Sequence, residues 1–182
     1  KKAVDDLAKA NEQISEEVSD AELDKAIADA QARLEACKKR ISELEGLIKQ
    51  QKDELETLEE EINTLLNDLN KVLDDYCIDN SCLATIKINS NGTISLDYDI
   101  PKEADEATRE YIAEFTSAIL KAASKHRRAL KSHKQTLENL EDAKDDCTEL
   151  DEALNRAQDA KAKADHKEAQ ALELEEQCEQ LK

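Results

Sequence analysis

The stretch Leu83-Ala84-Thr85-Ile86-Lys87-Ile88-Asn89-Ser90-Asn91-Gly92-Thr93-Ile94-Ser95-Leu96-Asp97-Tyr98-Asp99-Ile100 decides how this chain folds. Apolar and polar residues alternate on both sides of Asn91-Gly92, the period-two pattern of two strands joined by a turn. Parity then selects the turn. An Asn91-Gly92 loop would set Ile88 opposite Ser95, whereas a Ser90-Asn91-Gly92 loop sets Ile88 opposite Ile94 and Ile86 opposite Leu96. The second choice gathers the large apolar side chains on one face and puts Gly92 in the left-handed position. Two strands are marginal alone in water. Their apolar face therefore needs a cover, either the helix ends near Tyr76 and Tyr111 or another chain.

Outward from Gly92 the chain matches itself. In the first arm the apolar stripe runs Ile27, Ala30, Leu34, Cys37, Ile41, Leu44, Ile48, Gln51, Leu55, Leu58, Ile62, Leu65, Leu69, Val72, Tyr76. Its spacing alternates three and four, the heptad signature of a coiled-coil seam. Partners whose numbers add to 184 give a second stripe, Ala157, Leu154, Leu150, Cys147, Ala143, Leu140, Thr136, His133, Ala129, His126, Ala122, Ile119, Phe115, Ile112, Thr108. Large faces small at Ile41 with Ala143, Leu55 with Ala129 and Ile62 with Ala122, which lets the backbones approach. The expected fold is mainly α: a long antiparallel two-helix coiled-coil hairpin with a small two-stranded β-hairpin at the tip. At 1.5 Å per residue, an arm from near Asp20 to Tyr76 spans roughly 80 Å.

Boundaries follow from the same pattern. Residues 1–18 form an N-terminal helical segment whose stripe, Val4, Leu7, Ile14 and Val18, is out of phase with Leu23 and Ile27. Residues 19–77 form the first arm, opened by the capping box Ser19-Asp20-Ala21-Glu22. Residues 78–100 form the β-hairpin tip, and 101–182 the second arm, with Pro101 in the first helical turn. The late stripe Ala171, Leu174, Cys178, Leu181 faces the N-terminal segment if the register shifts by one. Gly46 falls on the outer face of the first arm. Lys1-Lys2-Ala3-Val4 has no N-cap, the C-terminus has no stop signal, and the chain contains no Met, so it reads as a segment of a larger protein.

Composition narrows the function. Aromatics are 2% of residues, too few for a large globular core. A formal net charge of −18 opposes nucleic acid and anionic lipid as partners. No apolar run reaches the ~18 residues that a membrane span needs, so no membrane insertion is expected.

Five cysteines carry the most chemistry. Cys37 and Cys147 occupy facing seam positions, which suits a disulfide; the alternative is two small buried thiols. Cys77 and Cys82 bracket the change from helix to strand and suit a local disulfide. A rival arrangement pools both residues from two chains into a four-thiolate zinc site, although their spacing departs from a CxxC hook. Cys178 is left over, as an interchain or a free thiol. Asn91-Gly92-Thr93 is an N-glycosylation acceptor pattern at the tip, and Asn-Gly is also ordinary turn chemistry. With the paired cysteines it favours an extracellular or cell-surface location.

No constellation supports catalysis, and no cofactor or metal is expected. His126 and His133 are about 10 Å apart along a helix, too far to share one ion. His133 faces Gln51, the polar residue of the first stripe, and the pair is expected to form a polar layer that sets the register. His126 faces Leu58, beside Arg127 and Arg128, where protonation would loosen the seam. The expected function is structural: an acidic, disulfide-stabilised coiled-coil rod serving as spacer or protomer of an extracellular fibre or surface assembly, hence a homo-oligomer. The alternatives are a binding module presenting the hairpin tip to a protein partner in a chaperone-like or adhesin-like manner, and a cytosolic coiled-coil linker.

Overall fold

The computed structural model describes residues 20–76, 83–88 and 94–180. Helix α1 (Asp20–Asp74) is followed by strands β1 (Thr85–Ile88) and β2 (Ile94–Asp97) and by helix α2 (Glu106–Gln180). The two helices pack against each other and the strands form an antiparallel pair between them in sequence, as the heptad stripes and the alternation require. Contacts divide the chain into two compact units, Lys1–Glu45 with Glu138–Lys182, and Gly46–Leu137.

In the first unit, Leu23, Ile27, Ala30 and Leu34 of α1 bury against Cys147, Leu150, Ala153, Leu154 and Ala157 of α2, with Cys37 and Ile41 packed alongside. The stripe supplies all of these but Leu23 and Ala153. Small residues on α2 permit close approach, and Ala157 is fully buried. At the surface the Lys161 ammonium pairs with Asp24, and Lys144 lies 3.5 Å from Glu45. Exposed pairs of this kind contribute little, about 0–1 kcal/mol each. From residue 165 to residue 180 every position of α2 is exposed.

In the second unit the helices carry the β-hairpin on their flank. Leu69, Leu73, Ala84, Ile112 and Ile119 form the core, and Leu65, Leu66, Val72, Ile86, Leu96, Tyr98 and Phe115 pack against it. The apolar face of the strands is therefore covered by the chain's own helices. Pairing is Ile88 with Ile94 and Ile86 with Leu96, the register that parity selected. Two polar contacts fix the hairpin to the helices. The Ala84 amide donates to Asn70 Oδ1 at 2.7 Å. The Tyr98 hydroxyl donates to Thr116 Oγ1, because the Thr116 proton is already given to the Ile112 carbonyl at 2.8 Å.

Two expectations need correction here. Helix α2 starts at Glu106 and not at Pro101. Pro101 begins a turn closed by the Ala104 amide on its carbonyl at 3.1 Å, and Asp105 is the cap, accepting the Thr108 amide at 2.8 Å. The Arg109 guanidinium clamps that turn by donating to the Ala104, Pro101 and Lys102 carbonyls. An Asp cap satisfies a free helical amide, which Pro101 cannot do. The second correction concerns Tyr76, which lies beyond the end of α1 and is exposed, although its hydroxyl meets its expected partner Thr108 Oγ1 at 3.4 Å; Leu73 is fully buried. The hairpin packs beside the seam, so the row that includes Leu66 and Leu73 is covered as well as the seam row. The capping box at Ser19, the stripe of residues 1–18, and Leu181 lie outside the described residues.

Candidate functional site

Three places hold the side chains that the sequence singles out. The first is the Cys37–Cys147 layer. These residues form a disulfide between α1 and α2, with Cα atoms 5.8 Å apart and a separation of 110 positions in sequence. Their Cβ atoms meet because both helices present a seam position at the same level. Beside the bridge a cleft of about 250 Å³ is lined by Cys37, Arg40, Asn139, Asp142, Ala143 and Asp146. Its walls come from both helices and carry charges of both signs.

The second place is the polar layer. Gln51 Nε2 donates to Thr136 Oγ1 at 3.1 Å and to Ser132 Oγ at 3.3 Å. Thr136 is buried and passes its own proton to the Ser132 carbonyl at 3.0 Å. His133 thus sits in the layer without a side-chain bond to Gln51, and Gln51 Oε1 and His133 Nδ1 are both buried without a hydrogen-bond partner. Ser132 and Thr136 are the residues of this layer that the heptad pairing did not single out as Gln51's partners. A Gln side chain reaches a turn in either direction, so the facing residue need not be the one it bonds. Two turns away, His126 Nε2 donates to Glu59 Oε1 at 3.1 Å, at the edge of the seam and not within it. That contact accounts for a histidine opposite Leu58.

The third place is the exposed end of α2, where Cys178 is a free, exposed thiol. Cys77, Cys82 and Asn91 lie outside the described residues, and with them the local disulfide, the rival zinc arrangement and the glycosylation position. Among the described residues no group of three or more His, Cys, Asp or Glu is placed to hold a metal ion. No helix among them is long and apolar enough to cross a membrane.

The titration of Asp105 is displaced. The Thr108 side chain and then its amide, both bonding to Asp105, hold that carboxyl below its ordinary value. This is the electrostatics of a helix cap. Comparison with protein-family models, with curated proteins and with solved structures gave no match.

Proposed function

We propose that this chain is a structural protein: an acidic, disulfide-stabilised coiled-coil hairpin that serves as spacer or protomer of an extracellular fibre or surface assembly. The observation that carries this reading is the Cys37–Cys147 bridge, placed inside the seam of two helices of 55 and 75 residues. Bridges of this kind persist in oxidising compartments. A bridge closing so long a loop stabilises the pair by about 4–5 kcal/mol in the chain-entropy model. The exposed Cys178 thiol is available to a second chain.

The rival, a module that recruits a protein through the hairpin tip, has less support. Ile86, Leu96 and Tyr98 of the hairpin are packed on the chain's own helices, so that face is already occupied. Non-reducing peptide mapping of the protein from its natural source tests the reading. A Cys37–Cys147 cross-linked peptide is expected, together with a mass for the Asn91 peptide that reports a glycan. Five free thiols with a bare Asn91 would move the chain to a reducing compartment and favour a cytosolic linker. An interchain bond through Cys178 predicts a dimer on a non-reducing gel that disappears in Cys178→Ser.

A further inference from the structure

Thr116, Ala123, Leu130 and Leu137 are spaced by seven and so form one row along α2. The beginning of this row is covered: Thr116 bonds Tyr98 of the hairpin and Ala123 is 3% exposed. Past the hairpin the row is bare, with Leu130 50% and Leu137 43% exposed. Arg127 and Lys134 each precede one of these leucines by three residues, and therefore flank the row one turn away. Where the cover ends, Ile94 of β2 meets Ser124, Arg127, Arg128 and Lys131 around a cleft of about 360 Å³.

The charge here runs against the rest of the chain. Between Glu114 and Glu138 there are six Lys and Arg residues and no Asp or Glu, in a chain of net charge −18. Arg127, Arg128, Lys131 and Lys134 make no ion pair among the described residues. No carboxylate of α2 lies within one helical turn of Arg127, Arg128 or Lys131, and Lys134 has Glu138 one turn on, with no ion pair between them. On α1, Glu59 is engaged by His126.

The end of α2 has the opposite character. From Glu168 to Gln180 there are five Glu residues and no Lys or Arg. Ala171, Leu174 and Cys178 make an apolar ridge by their three-and-four spacing, edged by Glu173 and Glu175. Leu174 is 61% exposed.

We propose that the acidic end of α2 from a second copy of this chain docks on the bare row of α2, its Leu174 ridge against Ile94, Leu130 and Leu137, its glutamates against Arg127, Lys131 and Lys134. This is helix-in-groove recognition, with apolar anchors and complementary charge at the rim. Two copies repel over most of their surface, and the basic row is where a second copy's acid is attracted. Because the two surfaces differ, the contact is heterologous, and a heterologous contact that does not close generates a filament. The proposal deepens the fibre-protomer reading and rests on it.

Sedimentation equilibrium of the full chain tests it, carried out in a Cys178→Ser background so that only non-covalent association is read. Self-association at low ionic strength that weakens as salt is added is expected. Arg127→Glu with Lys131→Glu, and separately Glu173→Lys with Glu175→Lys, should each raise the dissociation constant about tenfold or more. Mixing these two charge-reversed variants should restore association. All four positions are exposed, and unchanged helical circular dichroism checks that each variant folds. A wild-type chain that stays monomeric at low salt overturns the proposal. So does a Leu174→Ser variant that associates normally while its own helix end unfolds earlier, because the ridge would then be covered by the chain's own residues. Neither result bears on the Cys37–Cys147 linkage or the compartment, which peptide mapping reads independently.

Discussion

At the scale of single residues, the polar layer and the helix cap make distinct predictions. Gln51 reaches Ser132 and Thr136 but leaves its own Oε1 buried and unpaired. Burying an unpaired acceptor costs about 1–3 kcal/mol, while a single polar layer in a seam fixes alignment. Gln51→Leu is therefore expected to raise the unfolding free energy by about 1 kcal/mol and to lower the fraction of chains that form Cys37–Cys147 on oxidative refolding. Denaturant titration reads the first effect and peptide mapping the second. Gly46 sits in α1 with nothing within 4 Å of an added Cβ. Gly46→Ala should stabilise by about 1 kcal/mol through helix propensity, seen as a higher denaturation midpoint. Asp105 has a carboxyl pKa lowered by Thr108, so its folded value lies below its unfolded one. The cap then contributes fully above the ordinary carboxylate range, and that contribution is lost as pH falls through the lowered value. Asp105→Asn retains a capping oxygen without the titration, so acid unfolding curves of the two proteins should converge at low pH and separate towards neutrality.

At the scale of elements, the β-hairpin is held by side chains from both helices. Two strands do not persist alone, and this pair persists because Ile86, Leu96 and Tyr98 bury on Leu69, Leu73, Ile112 and Ile119. Leu96→Ser should cost about 1–2 kcal/mol of local stability. Amide exchange at Ala84 and along β1 and β2 should accelerate, while protection around Leu150 and Leu154, in the other unit, is unchanged. A uniform rise in exchange through both units would contradict this separation. The hairpin bonds Thr116 through Tyr98, while the continuation of that row at Leu130 and Leu137 is bare.

At the scale of the whole molecule, a net charge of −18 works against compaction, and the opposing terms include a narrow apolar seam and the Cys37–Cys147 bridge. Reduction of Cys37–Cys147, or Cys37→Ala with Cys147→Ala, is expected to lower stability by about 2–5 kcal/mol. The measurement is denaturant unfolding with and without reductant, monitored by helical circular dichroism. No change on reduction would assign stability to the seam alone.

The sequence by itself determined the seam, the facing of Cys37 with Cys147 and the pairing of Ile86 with Leu96. Each is a statement about period and parity: a heptad row can meet only another heptad row, and a shift of one residue in a strand turns every side chain to the wrong face. The candidate site was legible to the same extent, since the cysteine bridge is a seam pair. Gln51 was legible as the polar member of the stripe, but its bonds to Ser132 and Thr136 depend on side-chain reach, which no period encodes. Tertiary structure alone decided where the hairpin lies, and with it the burial of Leu73 and the exposure of Leu130 and Leu137. Those residues occupy rows beside the seam whose pattern is the same whether covered or bare. What distinguishes them is the position of a distant element in space, and a helix's own sequence carries no record of it.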